Sequence, residues 1–243
     1  MNALIALIES ALQTPLFSEP NESVTLKLVP GMSEADLAAW AAKLPCPMPP
    51  EIGELLRYCR GIEGLLDIID FSGEYLHDGF GLDGIFPHAM PIAHDGYGNY
   101  WLVDLSPDSR AYGPIWFACH DAPVMLYQCA GMEEFLRELF RMHAPPFESA
   151  LDDVHEDRLA HVWEKRPHVQ SRAECLASTD LVLRSFAESL PENYVISDLR
   201  GATTGDGFAW GPGEHKSFTR CGTLPLWGYE IKRNWLDKLL GRK

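Results

Sequence analysis

No two of the six cysteines stand in a Cys-x-x-Cys pair. Structural zinc sites and thioredoxin-like redox centres need that spacing, so neither is expected. Cys119 and Cys129 lie within apolar runs. The set is expected as reduced core thiols, not as a disulfide framework. Long apolar runs are also missing. Uncharged stretches such as Ala122–Met132 fall far short of the ~20 residues of a membrane-spanning helix. The apolar start Ala3–Ile8 precedes the first basic residue, Lys27, and lacks the positive flank of a secretory signal. A soluble, cytoplasmic chain with no membrane partner is expected. There is no His-Glu-x-x-His, no His-x-x-x-His and no Gly-x-Ser-x-Gly, the patterns of zinc hydrolases and serine hydrolases.

Positive charge is scarce where the chain is otherwise ordinary. The whole sequence carries 35 acidic and 20 basic residues, a formal net charge of −15. Residues 1–150 hold 21 acidic and 7 basic residues, a net of −14. A field of that sign repels phosphate backbones and attracts cationic partners. Nucleic acid is therefore not an expected partner, whereas a basic protein is. The plainer reading is that acidity keeps the protein in solution.

The chain is 46% hydrophobic, ample for a sizeable core. Residues 1–12 pattern as a short helix, and Ser23–Leu28 as a strand. Ser33-Glu34-Ala35-Asp36 resembles a capping box that starts a helix carrying Leu37, Trp40, Ala41 and Leu44. Pro50 suits the first turn of the next helix, with Ile52, Leu55, Leu56 and Cys59 as its apolar stripe and Gly61 as its C-cap. Short apolar runs then follow: Leu65–Phe71, Met90–Ala93, Tyr100–Leu105, Pro114–Cys119 and Val124–Gln128. They lie too close together for intervening helices, so the sheet should be mainly antiparallel. Met132, Phe135, Leu136, Leu139 and Phe140 form one helical face.

His143-Ala144-Pro145-Pro146 marks the boundary. Past it, 151–164 and 172–190 pattern as helices, and 194–199, 217–221 and 226–231 as strands. The Gly-rich stretch 201–213 patterns as a loop, and 234–240 as a basic terminal helix expected to dock on the acidic first part. The fold class is α+β. The expected domains are 1–143, a mainly antiparallel sheet packed against helices, and 144–243, a helical and β extension.

Gly79-Phe80-Gly81-Leu82-Asp83-Gly84 matches Gly-x-Gly-x-x-Gly. Pro87 follows too closely for a helix to open on these glycines, and Asp78 and Asp83 oppose a phosphate, so no nucleotide cofactor is expected. His88, His94, His120 and Asp121 fall at strand ends and with Asp95 could form an acid–base or metal set. They lack ligand spacing, and structural histidines are the simpler reading, so no metal is expected. Glu63, Asp67, Asp70, Glu74, Asp78 and Asp83 run without an intervening lysine or arginine, interleaved with Phe71, Tyr75 and Phe80. Carboxylates around aromatic anchors suit a cationic protein surface. The alternative is a solvated loop whose aromatics pack inward.

In Asp95-Gly96-Tyr97-Gly98-Asn99, Gly96 and Gly98 can take positive φ, and Asp95 and Asn99 can bond nearby backbone, so the segment patterns as a structural turn. Asp95 could also be presented to a partner. Four segments together resemble the SUKH superfamily, which includes the fungal cell-wall assembly regulator of SMI/KNR type and bacterial immunity proteins. They are Pro49–Gly61, Pro91–Trp101, Gly113–Asp121 and Ala130–Leu136. Arg60-Gly61 stands where an Asn-Gly is common in the family, and nothing after residue 140 resembles it. The resemblance implies an antiparallel sheet packed against helices and a protein-binding role without catalysis. A toxin-neutralising module is one expectation, a cellular scaffold or regulator another, and a hydrolase that uses the strand-end histidines and aspartates the third. The partner-facing candidates are Asp67, Asp70, Phe71, Glu74, Tyr75, Asp78, Asp83 and Asp95.

Overall fold

A computed structural model describes residues 2–19, 22–76, 85–108, 110–119, 122–209 and 217–230. Helix α1 (Ala3–Leu12) is capped by the Asn2 side chain, which accepts from the Leu4 amide, and it buries Leu4, Ile8 and Ala11. That spacing is one helical face. A hairpin follows, β1 (Leu16–Glu19) with β2 (Glu22–Val24), and then β3 (Lys27–Pro30). Helix α2 (Glu34–Ala41) starts on Ser33, whose Oγ accepts the Asp36 amide at 3.2 Å. Helix α3 (Pro50–Tyr58) has proline in its first turn and buries Ile52, Leu55 and Leu56.

Gly61 is not the cap of α3. The chain passes from Tyr58 directly into β4 (Cys59–Glu63), and Gly61 lies inside that strand. A Cβ there would sit 2.0 Å from the Ile69 carbonyl oxygen, so the glycine serves close strand approach. Strands β5 (Ile68–Ile69), β6 (Ala89–His94), β7 (Tyr100–Ser106), β8 (Ala111–Cys119) and β9 (Val124–Cys129) follow, and then helix α4 (Met132–Met142).

Beyond the Pro-rich boundary, α5 (Ala150–Asp153), a π turn (Val154–Arg158) and α6 (Leu159–Lys165) run on without a break. Then come β10 (Val169–Ser171), α7 (Arg172–Leu176), α8 (Leu181–Ser189), β11 (Tyr194–Asp198), β12 (Gly207–Ala209), β13 (Phe218–Arg220) and β14 (Leu226–Glu230). Asp180 caps α8, which separates it from α7, so the single helix expected over 172–190 is two. Strand β12 arises inside the stretch expected as a Gly-rich loop.

Two sheets stack. The larger has the order β12-β9-β8-β7-β6-β5, and all its pairings are antiparallel. The smaller has the order β10-β11-β14-β13. One face of the large sheet, with Trp101, Val103, Ile115, Phe117 and Leu126, packs on residues of α1, α3 and α4 such as Ile8, Leu55 and Leu136. The other face, with Leu102, Trp116, Ala118 and Met125, packs on Val195, Trp227 and Tyr229 of the small sheet. Cys175, Leu183, Phe186 and Leu190 cover the small sheet's far side. The layers therefore run helices, sheet, sheet, helices. Gly228 leaves room for this last layer, since a Cβ there would lie 2.5 Å from Leu190 Cδ1.

The junction between the sheets is aromatic. The Trp116 and Trp227 rings meet edge to face at 5.4 Å, Phe86 lies 5.6 and 5.3 Å from them, and Phe208 stacks on Tyr229. One ion pair crosses the same junction. Arg220 on β13 donates from both terminal nitrogens to Asp104 on β7, at 2.9 and 2.6 Å. Both side chains are 6% exposed. The guanidinium also donates to the Leu224 and Thr223 carbonyls and lies over the Phe86 and Trp227 rings. Burial pushes the Asp104 carboxyl above its ordinary pKa, against the pull of Arg220. Desolvation thus offsets much of the attraction, and the pair fixes the docking geometry more than it adds stability.

The cysteines are free thiols, five buried and Cys221 half-buried. Burial pushes Cys59 and Cys129 up to about 12. Among the described residues no helix is long and apolar enough to cross a membrane. The expected terminal helix at 234–240 lies outside the described residues.

Two predictions follow from these layers. Arg220→Met alone strands a buried carboxylate and should cost about 3–5 kcal/mol in denaturant unfolding. Adding Asp104→Leu should recover most of that loss, and a double variant no more stable than the single one would contradict the pair's docking role. At the start of α8, Arg200 bonds Asp198 and Asp180 at 2.6–2.8 Å and holds both carboxyls below their ordinary range. A depressed folded pKa gives stability that is present above the unfolded value near ~3.9 and lost as pH falls through the folded value. Arg200→Met should therefore lower Tm at neutral pH, and the difference from the parent should shrink below about pH 4.

Candidate functional site

The small sheet covers only part of the large sheet's second face. Its cover reaches Tyr100 and Ala89, which pack partly against it. Toward β5 and β4 no described residue of the small sheet covers that face, and Ile68 there is 38% exposed. Gly61 bridges Asp70, and β3 pairs β4 with Val29 opposite Gly61 and Lys27 opposite Glu63. Ile62 and Ile69 point into the helix-side core, so Gly61, Glu63, Ile68 and Asp70 fall on the opposite face. There they line a groove of roughly 360 Å³ together with Arg60, Asp67 and Tyr75.

Asp70 and Phe71 are not surface contacts. Phe71 is fully buried. Asp70 is buried as well, and its Oδ1 accepts the Ser72 amide and hydroxyl while Oδ2 accepts the Tyr75 amide at 3.0 Å. Its carboxylate is consumed in shaping the 70–75 turn, and what that turn presents is Tyr75. Tyr75 is 67% exposed, unusual for so large a ring. The Arg60 guanidinium covers one side of it, 4.5 Å from the ring centroid. Arg60 Nε itself is buried and has no hydrogen-bond partner among the described residues. Glu74 is exposed and reaches Lys43 at 3.4 Å, an exposed pair of little strength.

Asp67 is exposed, with Oδ2 3.5 Å from His94 Nδ1. That same nitrogen accepts the Gly96 amide at 3.0 Å. A ring nitrogen that accepts an amide has no proton to give Asp67. His94 also packs on Tyr100, 4.7 Å between ring centroids. Its place is structural, in the root of the next turn.

That turn is Asp95–Asn99. Gly96 and Gly98 take φ of +84° and +91°. Asp95 Oδ1 accepts the Tyr97 and Asn99 amides, and Oδ2 accepts Asn99 Nδ2 at 2.6 Å. The Asp95 side chain is largely buried, with His155 Nε2 3.7 Å away. The Asp95 carboxylate thus faces inward and holds the turn together. The residue presented is Tyr97, 81% exposed. The turn stands beside the groove, since a Cβ on Gly96 would lie 3.4 Å from Asp67 Cβ.

The sequence pointed to Asp67, Glu74 and Tyr75 and missed Ile68, Tyr97 and Arg60. Strand alternation was the available signal for Ile68, but it needs the register of β5, a strand of two residues. Asp78, Asp83, His120, Asp121 and the glycine motif at 79–84 lie outside the described residues. Among the described residues no three His, Cys, Asp or Glu side chains form a group that could hold a metal ion. The open face offers hydrogen-bond acceptors, negative charge and exposed aromatic and aliphatic surface, which are the ingredients of recognition.

Comparison with curated proteins and with solved structures returns no match. Comparison with family patterns does. Residues 31–138, from the loop before α2 to within α4, match the SMI1 / KNR4 family (SUKH-1), which supports SUKH superfamily membership for the segment that holds α2, α3, β4–β9 and most of α4.

Proposed function

We propose that the chain is a non-catalytic binding module that captures a cationic protein and neutralises it by covering its surface, as an immunity protein does to a toxin such as a nuclease. The supporting observation is the open end of the large sheet. Ile68, Tyr75 and Tyr97 are exposed there beside Glu63, Asp67 and Glu74. Apolar and aromatic side chains supply the desolvated centre of an interface, and surrounding carboxylates steer a basic partner and set its orientation. The net of −14 over residues 1–150 extends that field beyond the contact itself.

In this reading residues 1–143 form the binding unit and 144–243 the layer that closes the rest of its sheet. The partner is a protein, not nucleic acid or membrane, because the same field repels phosphate. No cofactor takes part, and the site of action is the cytoplasm.

The test is affinity capture from the source cells with the full chain as bait, at low and then moderate salt. The expected result is one basic protein that is released as salt rises and whose activity is blocked at a one-to-one ratio. A neutral or acidic partner would overturn the cationic reading. A basic partner whose activity survives binding would favour a scaffold or regulator over neutralisation. With the partner in hand, Asp67→Lys combined with Glu74→Lys should slow association by about tenfold at low salt and change dissociation less.

A further inference from the structure

We infer that the groove beside β4 and β5 is a receptor for one arginine side chain of the partner, with Tyr75 as its stacking platform and Glu63 and Asp67 as its carboxylate pair. This rests on the reading of the chain as a binder of a cationic protein and names the chemistry of the contact.

The groove's size comes first. At roughly 360 Å³ it lies at the small end of ligand sites. It takes a single long side chain with its flanking backbone, not a helix. Its walls are of two kinds. Ile68 is 38% exposed and apolar, a surface for a methylene stem. Glu63 and Asp67 line the same groove. Among the described residues Glu63 forms no ion pair, although Lys27 is its cross-strand neighbour. Among the described residues Asp67 has no lysine or arginine partner, and His94 Nδ1 lies 3.5 Å from its Oδ2. Among the described residues neither carboxylate is ion-paired with a lysine or arginine, and Arg60, which lines the same groove, is turned to the Tyr75 ring, so the carboxylates beside apolar surface suit a positive group on an aliphatic stem.

Tyr75 favours arginine over lysine. Both faces of an aromatic ring carry negative potential. Arg60 occupies one face of Tyr75, and the ring's large exposure leaves the other available. A planar guanidinium stacks on a ring and forks to carboxylates at the same time, whereas an ammonium is a hydrated point charge that does neither as well. Asp70 accepts the Tyr75 amide and the Arg60 guanidinium lies against the ring, which restrain the platform, and whatever is ordered beforehand lowers the cost of binding.

The experiment uses the full chain and three capped tripeptides: acetyl-Gly-Arg-Gly-amide, its lysine counterpart and its citrulline counterpart, which keeps the shape and removes the charge. Backbone amide NMR shifts are followed during titration at low salt. The arginine peptide should give saturable shifts centred on residues 60–63, 67–69 and 75, the lysine peptide weaker ones, and the citrulline peptide none. Tyr75→Phe should keep binding. Tyr75→Ala should weaken it by about tenfold, and Glu63→Gln and Asp67→Asn each by about fivefold. These side chains are exposed, and the variants' unperturbed amide spectra serve as the folding control. Absence of saturable shifts, shifts centred elsewhere, or equal binding of the citrulline peptide would overturn the inference.

The captured partner separates the two levels. If it binds the Tyr75→Ala chain undiminished, the groove is not its contact and the arginine receptor fails while the neutralising role stands. If the arginine peptide binds at the groove and capture yields only neutral or acidic proteins, the receptor stands and the cationic-partner reading fails.

Discussion

Strands β7, β8 and β9 carry large apolar side chains on both faces, and everything else in the molecule answers to that. A sheet with one wet face could stop at the helices, but Leu102, Trp116 and Met125 alternate with Trp101, Phe117 and Leu126, so a second cover is obligatory. The helices supply the first. The small sheet supplies the second, and it brings its own helical backing because its strands alternate in the same way. The Asp104–Arg220 pair settles how the covers meet. Apolar surfaces tolerate sliding, whereas a bidentate pair buried among rings tolerates one register.

That arrangement also decides where recognition can occur. The second cover ends near Tyr100, and β4 and β5 continue beyond it. The sheet's edge is thus left as an open floor, and the turns at 70–75 and 95–99 raise Tyr75 and Tyr97 around it. Each turn is built by an aspartate that faces inward. Asp70 and Asp95 contribute to the surface indirectly, by fixing which neighbour is displayed. The SUKH match covers this floor and stops before the small sheet. The open floor therefore lies almost wholly within the matched segment, and the segment that follows sets its limits.

Much of this was legible in the residues. The strand runs, the closing helix, the cap at Ser33 and the first-turn proline Pro50 are local signals, and they survive in the fold because tertiary packing agrees with them. The illegible parts are tertiary in origin. Gly61 follows a helical stripe and so resembles a C-cap, yet its reason is the Ile69 carbonyl two ångströms from where a Cβ would be. Strand β12 is three residues inside a Gly-rich stretch, and only pairing with β9 makes it a strand. Acidic charge alone could not separate the inward Asp70 and Asp95 from the outward Asp67 and Glu74, because burial depends on turn geometry. Nor could composition disclose that the part after residue 146 would lie on the first part as a second sheet.

Asp104 and Arg220 are 116 positions apart, and the surface they pin is finished late. On a ribosome the six-stranded sheet lacks β12 and its second cover until β14 has emerged, roughly a hundred residues after β9. At typical synthesis rates the Trp116 face stays uncovered for about 5 to 20 s, with an unpaired carboxylate in its midst. During that interval the acidic charge of the first 150 residues has a second use: nascent chains of like sign repel one another while their apolar faces are bare. The lopsided charge that suits a cationic partner in the finished protein also guards the unfinished one.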